Sequence, residues 1–422
     1  MKNLSERDKE HIWHPLTQHQ TAAAPIGIVK AKGALLWDED GNEYIDGIAS
    51  WYTAMYGHSN EQINAAMIAQ MKQLDFVMFS GFTHEPAVVL SEKLMQLLPD
   101  NQAKIFFNDN GSTAVEAAIK MALQFHHNNG DKRDTLIAFE DGFHGDTFGA
   151  MSASGLSTYN GPFEDFLLNV KRIPVPQKDN SVAVRNLLKT IIKNNSCAAF
   201  IFEPLVQGAA GMKFHSAEGL DILIKTCQES DILCIADEIM TGFAKTGKNF
   251  ASEYLSVSPD IICLSKALTA GMFPLSITSC SQAVFDGFLS EQVHRGFFHA
   301  HTFSAHPLGC AAAIAGIELL SSSEILKRRV AIEAAHQQFA VSIKNHPKVK
   351  DVRCLGVILA IDLNIKMERY GNLRDELYQF FMQRGVVLRP LGNTVYVLPP
   401  FVITEEQLTK IYNVIRSALA QF

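Results

Sequence analysis

The chain has 422 residues, 47% hydrophobic and 19% charged, and its 37 Lys and Arg against 44 Asp and Glu leave a formal net charge of -7. That balance excludes a disordered, collagen-like or coiled-coil chain, and its mild acidity gives no global attraction to nucleic acid or an anionic membrane. At roughly 100–200 residues per domain, the length allows a large core divided between two or three units.

No run approaches the ~20 apolar residues of a membrane-spanning helix; residues 310–317, among the longest, end at Glu318. The opening MKNLSERDKE is polar where a signal peptide would be apolar. A soluble, cytoplasmic protein is expected, with no membrane or nucleic-acid partner. The seven cysteines (Cys197, Cys227, Cys234, Cys263, Cys280, Cys310, Cys354) are odd in number, with no CxxC pair and no His at zinc-ligand spacing. They read as reduced, buried thiols, and no metal is expected.

In chain order, the alternation around Asp38-Glu39-Asp40-Gly41 predicts a hairpin within the first fifty residues. Residues 104–107 (KIFF) read as a buried strand. The turn residues 108–111 follow, then a helix in STAVEAAIKMALQF with Val115, Ala118, Ile119 and Ala122 on one face. Residues 136–139, 198–202, 232–236 and 261–264 are further apolar strands, with a helical stretch at 216–227. Short apolar strands alternating with helices indicate an α/β domain whose mostly parallel sheet is covered by helices. Beyond residue 305 the pattern changes to a long helix through 310–320, mixed strands at 356–361 and 395–398, and a final helix after Thr404. Three segments result. Residues 51–305 form a large domain, and residues 1–50 and 306–422 form a smaller α+β domain built from both chain ends.

Ligands of open α/β sheets sit beyond the carboxyl ends of the strands. Here those ends carry Gly111-Ser112, Glu203, Asp237 and Ser265-Lys266. A carboxylate such as Asp237 is costly at a buried strand end unless it meets a cation or several donors; alone it reads as a helix N-cap or a structural ion pair. Lys266 follows IICLS, where desolvation depresses an amine's pKa and makes it a nucleophile able to form Schiff bases with carbonyl compounds. A single lysine there can equally snorkel to water. Gly111-Ser112-Thr113 lies where a strand becomes a helix, a place that favours a phosphate or a plain Ser N-cap; no GxxxxGK[ST] loop occurs. Phe143 and His144 sit in the glycine-punctuated loop DGFHGD at 141–146, where an aromatic side chain stacks on a planar ring or anchors the loop. An amine, an acid, a phosphate nest and an aromatic plate on one sheet are what pyridoxal 5'-phosphate requires.

FEPLVQGAAGM (202–212), DEIMTGFAKTGK (237–248) and SKALTAG (265–271) resemble the signature of class III, fold-type I aminotransferases dependent on pyridoxal phosphate, and the likeness runs end to end. IWHPLT (12–17), SWYTAMYGH (50–58), FSGFTHEPA (79–87), FHGDTFGAMS (143–152), HTFSAHPLGCAAA (301–313) and VVLRPLGNTVYVLPP (386–400) resemble the branch of that family that aminates 8-amino-7-oxononanoate in biotin biosynthesis. The resemblance implies the fold-type I architecture and a homodimer with shared active sites. It makes Lys266 the lysine that holds the cofactor and Asp237 the partner of the pyridine nitrogen. Gly111 and Ser112 would hold the phosphate, Phe143 would stack on the ring, and His301 and Thr302 would reach the cofactor of the neighbouring subunit. Trp51 and Tyr52 would line the substrate channel and Arg389 would bind the keto-acid carboxylate, with Leu16, Phe143 and Ala300 at further substrate positions.

The reaction implied is ping-pong transfer through pyridoxamine phosphate to give 7,8-diaminononanoate, with S-adenosylmethionine or, in some relatives, lysine as amino donor. Leu16 and Phe143 stand where the family usually has tyrosines, Lys245 where it has arginine, and Ala300-His301 in place of Gly-Pro. Losing two hydroxyls and a planar cation bears on the donor. Another class III ω-amino acid aminotransferase, or a cofactor-binding regulator without catalysis, are the competing functions; the intact Lys266 and Asp237 and the Trp51-Tyr52 pair weigh against them.

Overall fold

The computed structural model describes residues 2–155, 160–368 and 371–422. Near the start, β1 (Ile28–Lys32), β2 (Leu35–Asp38) and β3 (Glu43–Asp46) form an antiparallel meander. Its second turn is set by Asp38, whose carboxylate accepts from the Asp40 and Asn42 amides, the Asn42 side chain and the Tyr44 hydroxyl. Gly41 supplies the φ of 85° that this turn needs.

The large sheet comprises β4 (Gln102–Asn108), β5 (Thr135–Phe139), β6 (Val170–Ile173) and β7 (Cys197–Phe202). A ribbon of β8 (Val206–Gln207) and β9 (Lys213–Phe214) intervenes before β10 (Leu233–Asp237), β11 (Ile261–Leu264) and β12 (Ser276–Ser281) complete it. The strand order is β4-β12-β11-β10-β7-β5-β6, and β12 alone runs against its neighbours. Strands β5, β7, β10 and β11 are buried along their whole length, so both faces carry apolar side chains and the runs are continuous rather than alternating. On one face Leu136, Ala138, Ile201, Ile235 and Cys263 pack against Ala114, Val115, Ala118 and Ala122 of the helix Gly111–Asn128. On the other, Ile137, Phe139, Phe200, Phe202 and Ile262 join a larger core with Leu220, Leu223 and Ile224 of the helix Ala217–Gln228.

Apolar runs do not predict β6 or β12. The first is a partly charged edge strand, and the second (SITSCS) is rich in hydroxyls that composition assigns to loops. Burial of β12 is possible because its polar groups find partners. The Ser276 and Thr278 hydroxyls donate to the Asn110 and Ala114 carbonyls at the start of the helix Gly111–Asn128.

The helix Pro307–Leu320 packs against the helices Glu61–Gln73 and Glu85–Met95. It is apolar nearly all round because protein surrounds it; no single helix among the described residues is long and apolar enough to cross a membrane. The helix Ser323–Ile343 precedes β13 (Val349–Leu355), β14 (Ile358–Leu363), β15 (Val386–Val387) and β16 (Thr394–Val397). Strands β13, β14 and β16 form an antiparallel sheet. Strand β15 instead pairs in parallel with β3, so one four-stranded sheet draws on both chain ends. The last helix, Glu405–Gln421, starts at a capping box of Thr404 and Gln407.

Phe200 is fully buried, its ring centroid 5.2 Å from that of Phe139 and 4.9 Å from that of Phe202. Phe200→Ala should lower the unfolding free energy in urea by about 3–5 kcal/mol. A loss below about 1 kcal/mol would contradict this packing.

Candidate active site

Beyond the C-terminal ends of β7, β10 and β11 lies a cleft of about 570 Å³. Leu16, Trp51, Tyr52, Gly111, Ser112, Phe143, Asp237, Lys266 and Arg389 all line it. Ala300, His301 and Thr302 do not. His301 Nδ1 is 4.0 Å from Asp109 Oδ1, just before the helix Gly111–Asn128, and Ala300 and Thr302 face solvent.

Asp237, the last residue of β10, is 3% exposed. Its Oδ2 lies 2.7 Å from His144 Nδ1, and its Oδ1 accepts the Ile239 N–H at 3.1 Å. His144 is held by its own N–H, which donates to Ser154 Oγ at 2.9 Å. The opposite ring nitrogen, Nε2, is buried without a partner among the described residues.

Glu203 follows β7 and is also buried. Its two oxygens accept the Phe143 N–H at 3.1 Å and the Gly208 N–H at 2.8 Å. Burial pushes its carboxyl up to about 7; the His144 ring opposes the shift and the Asp237 charge adds to it.

Lys266 begins a 3-10 turn, Lys266–Thr269, at φ 51°. A non-glycine residue there costs about 1–3 kcal/mol and persists where its surroundings over-determine it. Burial lowers the pKa of its amine, while Asp237 and Glu203 pull in the opposite sense. Its Nζ lies 5.3 Å from the Tyr52 ring centroid. The snorkelling alternative therefore fails, since the amine points into the cleft.

The helix beside Ser112 is capped by Asn110, whose side chain accepts the Thr113 N–H at 3.1 Å. This replaces the Ser N-cap alternative, and it leaves the Gly111 and Ser112 amides with no acceptor within the helix. Ser112 Oγ instead sits 2.6 Å from Thr147 Oγ1 and accepts the Thr147 N–H. Gly145, at φ 135°, closes over it, and a Cβ there would lie 2.3 Å from Ser112 Oγ. The open amides, the glycine cradle, the buried acid and the orphaned His144 nitrogen fit a phosphorylated aromatic cofactor.

Across the cleft, Ala49, Ser50, Trp51 and Tyr52 have φ of 45°, 44°, 67° and 69°. Left-handed backbone costs an L-residue about 1–2 kcal/mol per position, and this run contains no glycine. It holds the Trp51 ring 4.8 Å from the Arg389 guanidinium carbon. Arg389 has no carboxylate partner among the described residues.

Pattern reading assigns no role to Glu203, although its place at a strand end is the signal that singles it out. Lys245 is fully buried and does not line the cleft. Its Nζ donates to the Gly242 carbonyl at 2.6 Å, and burial, with the nearby Lys266 charge, holds its pKa well below the usual lysine range.

The Aminotransferase class-III family profile matches residues 16–419. This chain is a class III aminotransferase. It is a pyridoxal-phosphate-dependent enzyme with the fold-type I architecture of that family. It is 42% identical over 420 residues to the adenosylmethionine-8-amino-7-oxononanoate aminotransferase of Synechococcus elongatus, covering 97% of this chain and 98% of the relative. The crystal structure of the Methanocaldococcus jannaschii enzyme of the same name superposes with a TM-score of 0.93 at 30% identity, covering 99% of this chain and 98% of the other. A PLP-bound amine transaminase from an uncultivated Pseudomonas species superposes with a TM-score of 0.91 at 27% identity, covering 97% and 98%.

The Glu203 carboxyl, at about 7, titrates above its ordinary 4.5. A raised folded value means its contribution to stability is complete below the unfolded pKa and is lost as pH rises through 7. In the apoprotein this should remove up to about 3 kcal/mol across that window. Glu203→Gln, which cannot ionise, should lack that part of the slope; parallel stability-against-pH curves for the two proteins would contradict the assignment.

Proposed function

We propose that this aminotransferase transfers an amino group from S-adenosylmethionine to the ketone of 8-amino-7-oxononanoate, giving 7,8-diaminononanoate in biotin biosynthesis. The names of its similar proteins support the acceptor and the donor. The observation that carries the reading is the Arg389–Trp51 stack. A guanidinium without a carboxylate partner, set on an aromatic face in the cleft that also holds Lys266, suits an acceptor with a carboxylate at one end and a reacting carbon at the other. Trp51, Tyr52 and Phe143 offer apolar walls for the chain between them. Asp146, a carboxylate lining the same cleft, gives a cationic donor a counter-charge.

Pyridoxal phosphate, when bound, supplies an aldehyde carbon for the donor amine and a ring that takes up electrons as a proton leaves the donor. The chain's residues divide the remaining work. Gly111 and Ser112 bind the phosphate with open amides at a helix start. Asp237, oriented by His144, would hold a proton at the ring nitrogen, and Phe143 would lie against the ring. Lys266 would hold the cofactor through its amine. Burial lowers the pKa of that amine, the sense that suits a group moving the proton at the donor's α-carbon. His301 and Thr302, outside their own cleft, would complete the phosphate site of the neighbouring subunit in a homodimer. The sheet shared by β3 and β15 supports a smaller domain of residues 1–50 and 306–422 against a large domain of 51–305, and the enzyme would act in the cytoplasm.

Mixing holoenzyme with S-adenosylmethionine should convert its absorbance to the pyridoxamine form, and 8-amino-7-oxononanoate should restore it. Conversion by lysine alone would reassign the donor, and failure of the acceptor to restore the spectrum would overturn the reading. Lys266→Ala should abolish turnover. Arg389→Ala should raise KM for the acceptor by about ten- to a hundredfold, with a smaller change in kcat.

A further inference from the structure

We infer, resting on the reading of Arg389 as the acceptor's carboxylate site, that Asp46 and His58 form a clamp that positions the Trp51–Arg389 stack and thereby sets acceptor affinity. Neither residue lines the cleft, so both are positioning residues that act through Trp51.

Asp46 ends β3 and is fully buried. Its carboxylate collects donors from three points of the loop that follows. The Ile48 N–H donates to Oδ1 at 3.3 Å, while the Ser50 hydroxyl and His58 Nε2 each lie 2.8 Å from Oδ2. An ionised carboxylate only accepts, so the His58 proton in this bond sits on Nε2.

The left-handed residues Ala49–Tyr52 lie inside that loop. Their hydrogen bonds, from the Tyr52 N–H to the Ile48 carbonyl and the Thr53 N–H to the Ala49 carbonyl, are both 2.9 Å. Bonds of this spacing form in a right-handed turn as well, without the steric cost. Something outside the turn must hold its hand, and the Ser50 tie to Asp46 grips it at its middle. Strain kept at such a place has an effect on the ring it carries. It sets Trp51 against Arg389.

Asp46 also anchors the other half of the stack. The β3–β15 register places it beside Val387, two residues before Arg389. Gly47 donates its N–H to the Val387 carbonyl at 3.1 Å. A Cβ on Gly47 would lie 3.1 Å from the Val387 carbonyl oxygen and 2.7 Å from Leu388 Cδ2, so the two strands leave little room for a side chain there. Asp46 thus pairs through its backbone with the strand that delivers Arg389 and holds through its carboxylate the turn that delivers Trp51.

The Ser50, His58 and Asp46 trio is not a nucleophile triad. In such a triad the two ring nitrogens serve different partners. Here His58 Nε2 faces both Asp46, at 2.8 Å, and Ser50 Oγ, at 3.4 Å. That geometry ties a loop and leaves the serine without a base.

The test uses the holoenzyme carrying His58→Ala, with Ser50→Ala as a milder variant that keeps the Asp46–His58 pair. Hydrogen exchange of the 48–55 segment, read without substrate, should quicken in both. KM for 8-amino-7-oxononanoate should rise by about tenfold in His58→Ala, while the rate of the half-reaction with the amino donor changes by less than about threefold. His58→Gln, which retains a donor toward Asp46, should recover most of the affinity. Unchanged exchange in both variants would overturn the clamp, and faster exchange with an unchanged KM would overturn its link to the acceptor. If the wild-type enzyme does not use 8-amino-7-oxononanoate at all, the acceptor reading and its link to the clamp both fail. Exchange in the 48–55 segment still decides whether the clamp exists.

Discussion

The carboxylate of Asp237 sits at the end of a fully buried parallel strand, where an isolated charge would be strongly unfavourable. The fold answers with the His144 ring on one oxygen and the Ile239 amide on the other. Three neighbouring parallel strands then bring the rest of the chemistry to the same level, because β7, β10 and β11 lead directly into Glu203, Asp237 and Lys266. The Asp237 charge acts on both neighbours. It keeps the Lys266 amine from falling as far as burial alone would take it, and it pushes the Glu203 carboxyl further up. A neutral residue at 237 would alter both groups together.

The opposite wall depends on the chain ends. The parallel pairing of β3 with β15 joins the N-terminal meander to the segment carrying Arg389. Backbone strain is found on both sides of the cleft, at Lys266 and in the run Ala49–Tyr52. At each place the unfavourable φ sets the direction of a side chain that faces the cleft, and the surrounding hydrogen bonds and packing hold it there.

Much of this was legible from residue pattern. The strands buried on both faces are continuous apolar runs, so the core of the sheet and the residues at its strand ends can be read directly. The hydroxyl-rich β12 escapes such reading because its burial depends on carbonyls at the start of a helix distant in sequence. Asn110 rather than Ser112 caps that helix, a choice between two capping residues two positions apart that local propensity does not make. The left-handed run is invisible in SWYTAMYGH, since Ala, Ser, Trp and Tyr carry no preference for positive φ. The Asp46 carboxylate that bonds Ser50 inside it also meets His58, a contact that spacing does not reveal. Residues 300–302 lie outside the cleft, which sequence spacing does not reveal.

The protonation state of the bound cofactor tests the central claim, that Asp237 organises the site, most directly. Pyridoxal phosphate labelled with 15N in its ring can be bound to the wild-type enzyme and to Asp237→Asn and observed by NMR near pH 8. A pyridinium shift in the wild type that moves to a neutral-pyridine shift in Asp237→Asn is the predicted result. A neutral-pyridine shift in the wild-type enzyme would contradict the account.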